Sequence, residues 1–198
     1  RLDGRLNGNL CARIETVLPN KNEPLIESYL AQGLAKGDKM NKIVQKAVEI
    51  GIKAIFPFAS DNTVVNLDVA KARKKVDKWA VIAREACKQC GRNIIPSVKE
   101  VISFDQLLLE IGTNSAIMFY EKEGQLGLRD VLKRMHLTGA KGPLFIIIGA
   151  EGGFSVREAK KAIDSGVNIC RLGPRILRTE TAGLAAASII MYEYGDLG

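Results

Sequence analysis

Two stretches in the last third of the chain combine residue types able to bind and transform a ligand. The first is Ile146-Ile147-Ile148-Gly149-Ala150-Glu151-Gly152-Gly153-Phe154-Ser155, an apolar run ending in three glycines and a carboxylate. Glycines let the backbone bend sharply and bring main-chain N–H and C=O groups close to a ligand, here just past the carboxyl end of a buried strand. The second is Leu172-Gly173-Pro174-Arg175-Ile176-Leu177-Arg178-Thr179-Glu180-Thr181-Ala182, where two arginines and a carboxylate crowd a Gly-Pro turn before an apolar helix. Either loop alone is an ordinary α/β connection. Two such loops after successive strands lie side by side at one sheet edge and predict a shared pocket.

The other reactive residues lead elsewhere. The spacing G-x-x-G-G is not the dinucleotide fingerprint, and no ribose-binding acid follows about twenty residues on, which argues against a nucleotide-dependent dehydrogenase. Cys87-x-x-Cys90 would need two further ligands to hold zinc, and the chain has one histidine, His136. The pair also closes a helix on its apolar stripe instead of opening one, so packing is the better reading than redox chemistry. His136 has no Ser or Cys nucleophile motif to serve and belongs at the end of its helix. No metal site is expected.

The elements that must hold these loops alternate. Strands are predicted over Leu10–Val17, Leu25–Leu34, Ala54–Phe58, Ser115–Tyr120, Leu144–Ile148 and Val167–Leu172, and Pro19-Asn20-Lys21-Asn22 reads as a turn. Helices are predicted from Asp38, a natural N-cap, to a stop at Gly51, then along the stripe Val76, Trp79, Ala80, Ala83, Cys87, Cys90 to Gly91. Further helices span Leu128–Leu137, Ser155–Ser165 behind a Ser155/Glu158 capping box, and Thr179–Tyr194. Strands alternating with helices make a parallel α/β sheet covered on both faces.

Composition bounds the partners. Of the net charge of +7, residues 1–35 contribute 0, residues 36–99 contribute +8 and residues 100–198 contribute −1. A localised positive field attracts polyanions, so nucleic acid is the leading partner. Hydrophobic residues make up 46%, enough for a core, yet no run approaches a membrane span and no leader pattern opens the chain. The four cysteines, Cys11, Cys87, Cys90 and Cys170, are too few to read as a disulfide framework, which points to a reducing cytoplasm.

The segments IGAEGGFS (148–155) and LGPRILRTETA (172–182) resemble the cofactor loops of the ribosomal RNA methyltransferases that make 3-methyluridine in small-subunit rRNA, a branch of the SPOUT class. KGDKMNKIVQKAVEIG (36–51) and EACKQCGRNIIP (85–96) are similar to further segments of that family, and the likeness spans roughly 25–195. Ala150 stands where the family usually has Pro. The resemblance implies S-adenosylmethionine as cofactor, a SPOUT-type parallel sheet with a C-terminal trefoil knot, and a homodimer. It also implies that residues 1–20, beginning at Arg1, are the last strands of an N-terminal PUA-like barrel, with residues 21–198 forming the methyltransferase domain.

The same resemblance implies the site. Phe119, Gly149, Glu151, Gly152, Gly153, Leu172, Gly173, Ile176, Leu177 and Thr179 are expected around the cofactor. The uracil imide must lose a proton before it can attack a methyl group, which makes Glu180, with Glu151 as the other carboxylate, the expected base. Arg178 and Arg175 are placed to stabilise the uracil anion or hold a phosphate. Lys39, Lys42, Lys46, Lys88, Arg92 and Arg175 are expected on the RNA, with Lys74, Lys78 and Arg84 on the same basic surface. The substrate implied is 16S rRNA, in an assembled small subunit. The alternatives are a SPOUT enzyme acting on transfer RNA or a ribose hydroxyl, and a ribosome-binding homologue without catalysis.

Overall fold

Apolar periodicity and helix caps place most elements of the computed structural model, which describes residues 2–17, 22–64, 68–122, 126–138, 142–194 and 196–197. Helix α1 (Lys39–Ile50) buries Met40, Ile43, Val44, Ala47 and Val48, the predicted stripe, and stops at Gly51 with φ 107°, a left-handed cap open to glycine without strain. Asp38 precedes it but makes no side-chain cap; its carboxylate accepts from the Asn41 side-chain amide at 2.8 Å. Helix α2 (Val69–Cys90) is capped by Asp68, which accepts from the Lys71 amide, and buries Val76, Trp79, Ala83, Ala86 and Cys87. The Cys87 thiol donates to the carbonyls of Arg92 and Ile94. Burial pushes that thiol up from its ordinary range, as fits an inert packing residue.

The strands β3 (Ser28–Gly33), β4 (Ala54–Ala59), β5 (Ser97–Val98), β7 (Ala116–Phe119), β8 (Leu144–Ile148) and β9 (Asn168–Cys170) form a parallel sheet in the order β5-β4-β3-β8-β7-β9, with β6 (Ile102–Ser103) also paired to β4. Every residue of β7 and β8 is buried, the mark of a sheet covered on both sides. Helices α1, α2, α4 (Leu128–Thr138) and α6 (Thr179–Glu193) pack on the face of Leu30, Ile55, Ile117, Ile146 and Ile148. Helices α3 (Phe104–Ile111) and α5 (Val156–Asp164) cover the face of Phe56, Phe58, Met118, Phe145 and Ile147. The predicted capping box opens α5: Ser155 accepts from the Glu158 amide and Glu158 from the Ser155 amide.

Two details differ from the sequence reading. The strand expected over Leu10–Val17 is the shorter β2 (Asn9–Ala12), in an antiparallel hairpin with β1 (Leu2–Leu6); residues 13–17 are exposed and carry no ladder. Helix α3, opened by a Ser103/Gln106 capping box, was not expected. Its apolar run, Leu107-Leu108-Leu109, obscures the helical period because only Leu107 is fully buried. Of the turn expected at Pro19–Asn22, residues 19–21 lie outside the described residues. His136 ends α4 stacked on Tyr194, ring centroids 4.9 Å apart. Among the described residues no helix is long and apolar enough to cross a membrane, and no cluster of three or more His, Cys, Asp or Glu could hold a metal.

Candidate functional site

The sheet's connectivity creates the site. From β7 the chain leads to α4 on one face and then to β8; from β8 it turns to α5 on the opposite face. Neighbouring parallel strands whose connections diverge in this way leave a crevice at their carboxyl ends. There the ends of β7 and β8 and the loop after β9 enclose a cavity of about 530 Å³, a size suited to a small organic ligand. Phe119, Gly149, Glu151, Gly152, Gly153, Leu172, Gly173, Ile176, Leu177 and Thr179, all expected at a cofactor, line it, as do Arg175 and Arg178. Glu180 does not. From the first turn of α6 its carboxylate turns to Lys39 at 3.3 Å, because the helix start directs it back over α1.

Buried polar contacts hold the loops together, and sequence reasoning missed the residues that make them. Gln32, wholly buried in β3, donates to the Thr179 hydroxyl at 2.8 Å, which donates to the Gly149 carbonyl at 2.6 Å. The two binding loops are thus joined directly at Thr179, and a strand that belongs to neither supports the joint. The Thr179 side chain is a structural joint; its hydroxyl is occupied. Gly33, one residue on, packs so close that a Cβ would run into the backbone of Gly149 and Ala150. A buried glutamine in an apolar strand was the available signal, since such a group needs partners.

A second support comes from the loop after β4. Asn62 donates to the Gly152 carbonyl at 2.9 Å. Asp61 accepts from the Ser155 hydroxyl at 2.6 Å and from the Arg157 guanidinium, and its amide donates to Glu158 at 2.9 Å. Arg157, then Ser155, hold the Asp61 carboxyl below its ordinary range. Gly153 adopts φ +63°, and a side chain there would also press on the Glu121 carboxylate, a cavity residue the sequence did not single out.

The charges at the mouth are organised around α1. Lys39 Nζ lies 3.0 Å from Glu151 and 3.3 Å from Glu180, and the Lys36 amide donates to Glu151 at 3.1 Å. Burial pushes the Glu151 carboxyl up, but Lys39, Glu151's own amide and the Lys36 amide outweigh it and hold it below the usual value. Glu180 is lowered too, first by its own backbone amide, against burial, and then by Lys39. Arg171, Arg175 and Arg178 complete the lining. The arrangement offers main-chain groups for a flat ring, guanidinium donors for developing negative charge, and an ionised carboxylate.

The basic segment does not act as one surface. Arg92, expected on RNA, is buried: it donates to the carbonyls of Val48 and Ile52 at 3.0 and 2.7 Å and pairs with Glu23 at 2.7 Å. Glu23 in turn accepts from the amides of Asn93 and Ile94, so the pair pins the chain entering the domain to the turn after α2. A position just past a helix C-terminus drew the guanidinium inward, to α1's last carbonyls. Lys39 faces the cavity instead of open solvent. Lys46 pairs with Glu49, Lys88 with Glu85 and, at 3.9 Å, Lys78 with Asp38, all at the surface. Lys42, Lys74 and Arg84 are exposed and make no ion pair among the described residues.

Comparison with known proteins agrees with this geometry. Residues 21–191 match the RNA methyltransferase domain family. The chain is 40% identical over 185 residues to the ribosomal RNA small subunit methyltransferase E of Bacillus subtilis, covering 92% of this chain and 72% of that protein. It is 36% identical to the protein of the same name from Buchnera aphidicola of Acyrthosiphon pisum, over 91% of this chain and 68% of that protein. Among solved structures, the ribosomal RNA small subunit methyltransferase E of Neisseria gonorrhoeae, bound to S-adenosyl methionine, superimposes with a TM-score of 0.79 at 34% identity, over 89% of this chain and 71% of that one. The chain belongs to the RNA methyltransferase domain family, in its ribosomal RNA small subunit methyltransferase E branch.

Proposed function

We propose that the chain methylates ring nitrogen 3 of a uridine in 16S rRNA, with S-adenosylmethionine as donor. The observation that carries this reading is the cavity at the carboxyl ends of β7 and β8, in a chain similar over most of its length to enzymes named for rRNA methylation. The fit of the cofactor rests on the lining: the glycine-rich turn at Gly149, Gly152 and Gly153 with Leu172 and Leu177 suits a flat adenine ring, and the carboxylates of Glu151 and Glu121 suit a cation. When bound, the cofactor supplies an electrophilic methyl group on a sulfonium.

The protein's own residues handle the proton and the charge. A neutral imide is a poor nucleophile, so N3 must lose its proton as it attacks. Both carboxylates are engaged by Lys39, but Glu151 lines the cavity and Glu180 does not, so Glu151 is the better placed to accept it. Glu151 is held ionised and is therefore a weak base, so much of the work falls to Arg178 and Arg175, whose guanidinium groups stabilise the uracil anion. The exposed Ile176 between them, 86% accessible, offers an apolar surface for the ring.

The rest of the reading concerns assembly. The C-terminal chain forms a trefoil knot in this reading, which the return of α6 from the edge strand β9 to the middle of the sheet, against β3 and β8, supports. Exposed Ile189 and Tyr192 on α6 supply apolar surface for a homodimer. The hairpin β1–β2 is the remnant of a PUA-like barrel over residues 1–20, and residues 21–198 are the methyltransferase domain. The enzyme acts in the cytoplasm on rRNA within an assembled small subunit. Calorimetry with S-adenosylmethionine, followed by mass-spectrometric mapping of methylated bases after incubation with small subunits and with transfer RNA, tests it. A 3-methyluridine in 16S rRNA is expected; methylation of transfer RNA or of a ribose hydroxyl, or no cofactor binding, overturns it.

A further inference from the structure

The Lys36-Gly37-Asp38-Lys39 segment leads from β3 into the first residue of α1, more than a hundred positions from either binding loop in sequence, yet its charged groups touch both. Lys39 is 29% exposed at its side chain, lines the cavity, and bridges Glu151 of the loop after β8 to Glu180 of the first turn of α6. Two carboxylates brought to one ammonium from separate elements would repel each other without it, and nothing else cationic is within ion-pair distance of either among the described residues. The Lys36 amide, donating to the same Glu151 carboxylate, fixes which way it points.

We propose that Lys39 is a positioning residue for methyl transfer: it ties the loop carboxylate Glu151 to α6 through Glu180 and fixes that carboxylate at the cavity mouth. The proposal rests on reading the cavity as the site of transfer. The other charged groups that face the cavity are Glu121 after β7 and Arg171, Arg175 and Arg178 after β9, and none of them replaces the bridge. Lys39 therefore differs in role from the exposed Lys42 one turn along, which has no such partners.

The test uses the full chain with Lys39→Gln and Lys39→Arg. Carbon-13 NMR titration of the glutamate carboxyls is expected to move the Glu151 midpoint upward in Lys39→Gln and to leave it near wild type in Lys39→Arg. On small subunits, Lys39→Gln is expected to lower kcat about tenfold or more at neutral pH and to move the acidic limb of the kcat profile upward, with Lys39→Arg recovering most of the rate. Calorimetric affinity for S-adenosylmethionine should stay within about threefold, since main-chain groups hold it. An unmoved Glu151 midpoint overturns the proposal, as does a wild-type pH profile with weaker RNA affinity and a smaller salt slope, which would make Lys39 an RNA contact. If the wild-type protein methylates no uridine, the functional reading fails, while the carboxyl titration still decides whether Lys39 holds Glu151.

Discussion

The two C-terminal loops and the basic segment 36–99 were equally conspicuous as sequence, and they fared differently in the fold. Every loop residue expected at the cofactor lines one cavity. The basic residues disperse: Arg92 is buried against Glu23, Lys39 turns into the cavity, Lys46 and Lys88 pair with helix neighbours, and Lys42, Lys74 and Arg84 face outward. The loops act through backbone geometry at strand ends, which local sequence specifies. A cationic side chain is long, and its partner is chosen by whatever the fold brings within reach. Net charge thus predicts a kind of partner without assigning the residues that meet it.

The contrast is most strongly tested at Arg92. Its replacement by Ala takes away the one cation paired with the Glu23 carboxylate, which keeps only the Asn93 and Ile94 amides, and removes the guanidinium from the carbonyls of Val48 and Ile52, at a cost of about 3–5 kcal/mol. Thermal unfolding should show a marked fall in Tm, while the salt slope of RNA binding by folded protein stays as in wild type. An altered slope with unchanged Tm would return Arg92 to the RNA surface. The pH dependence has a definite sign. Burial pushes Glu23 up, but the Arg92 hydrogen bond and the amides of Ile94 and Asn93 leave it lowered in the fold. Its contribution is present above the unfolded carboxylate value and is lost as pH falls through the folded one. Arg92→Ala should therefore be destabilised most at neutral pH and approach wild type in acid.

On the loop side, Arg178→Ala is expected to lower kcat about a hundredfold, the cost of removing one donor to developing charge, with cofactor affinity little changed. Single-turnover methyl transfer at saturating cofactor checks it, and a rate within twofold of wild type would leave Arg178 outside the chemistry. Thr179→Val removes the bridge between Gln32 and Gly149, taking the hydroxyl donor from the Gly149 carbonyl and leaving the Gln32 amide only the Gly33 carbonyl, for about 1–3 kcal/mol. Chemical denaturation measures that loss, which should come with weaker cofactor binding because both loops hang on the joint. Stability lost with cofactor affinity intact would show that the loops are held otherwise.

The smallest effects belong to the exposed lysines. Lys42→Ala and Lys74→Ala should each reduce the salt slope of RNA binding by about one and leave Tm unchanged. Paired Lys46 and Lys88 should do less, since neutralised charges release fewer counterions. Equal effects at all four would mean that the ion pairs open on RNA.

Periodicity, caps and glycine placement were enough to read the alternation of strands with α1, α2, α5 and α6, because these depend on contacts between near neighbours; the two loops do meet in one site, but not after adjacent strands at a sheet edge as expected, since β7 lies between β8 and β9. The Ser155/Glu158 box and the Gly51 stop could be read off directly. Helix α3 and hairpin β1–β2 could not: a leucine run hides which face is buried, and a hairpin needs its partner strand identified. Resemblance to known methyltransferases, not periodicity, named the chemistry. What only the tertiary structure decided were the pairings across the chain, Gln32 with Thr179, Asn62 with Gly152, Glu23 with Arg92, and Lys39 with Glu151 and Glu180. Each joins residues tens to more than a hundred positions apart. Such contacts follow from which strands lie side by side, and neither the composition nor the spacing of a linear chain records that.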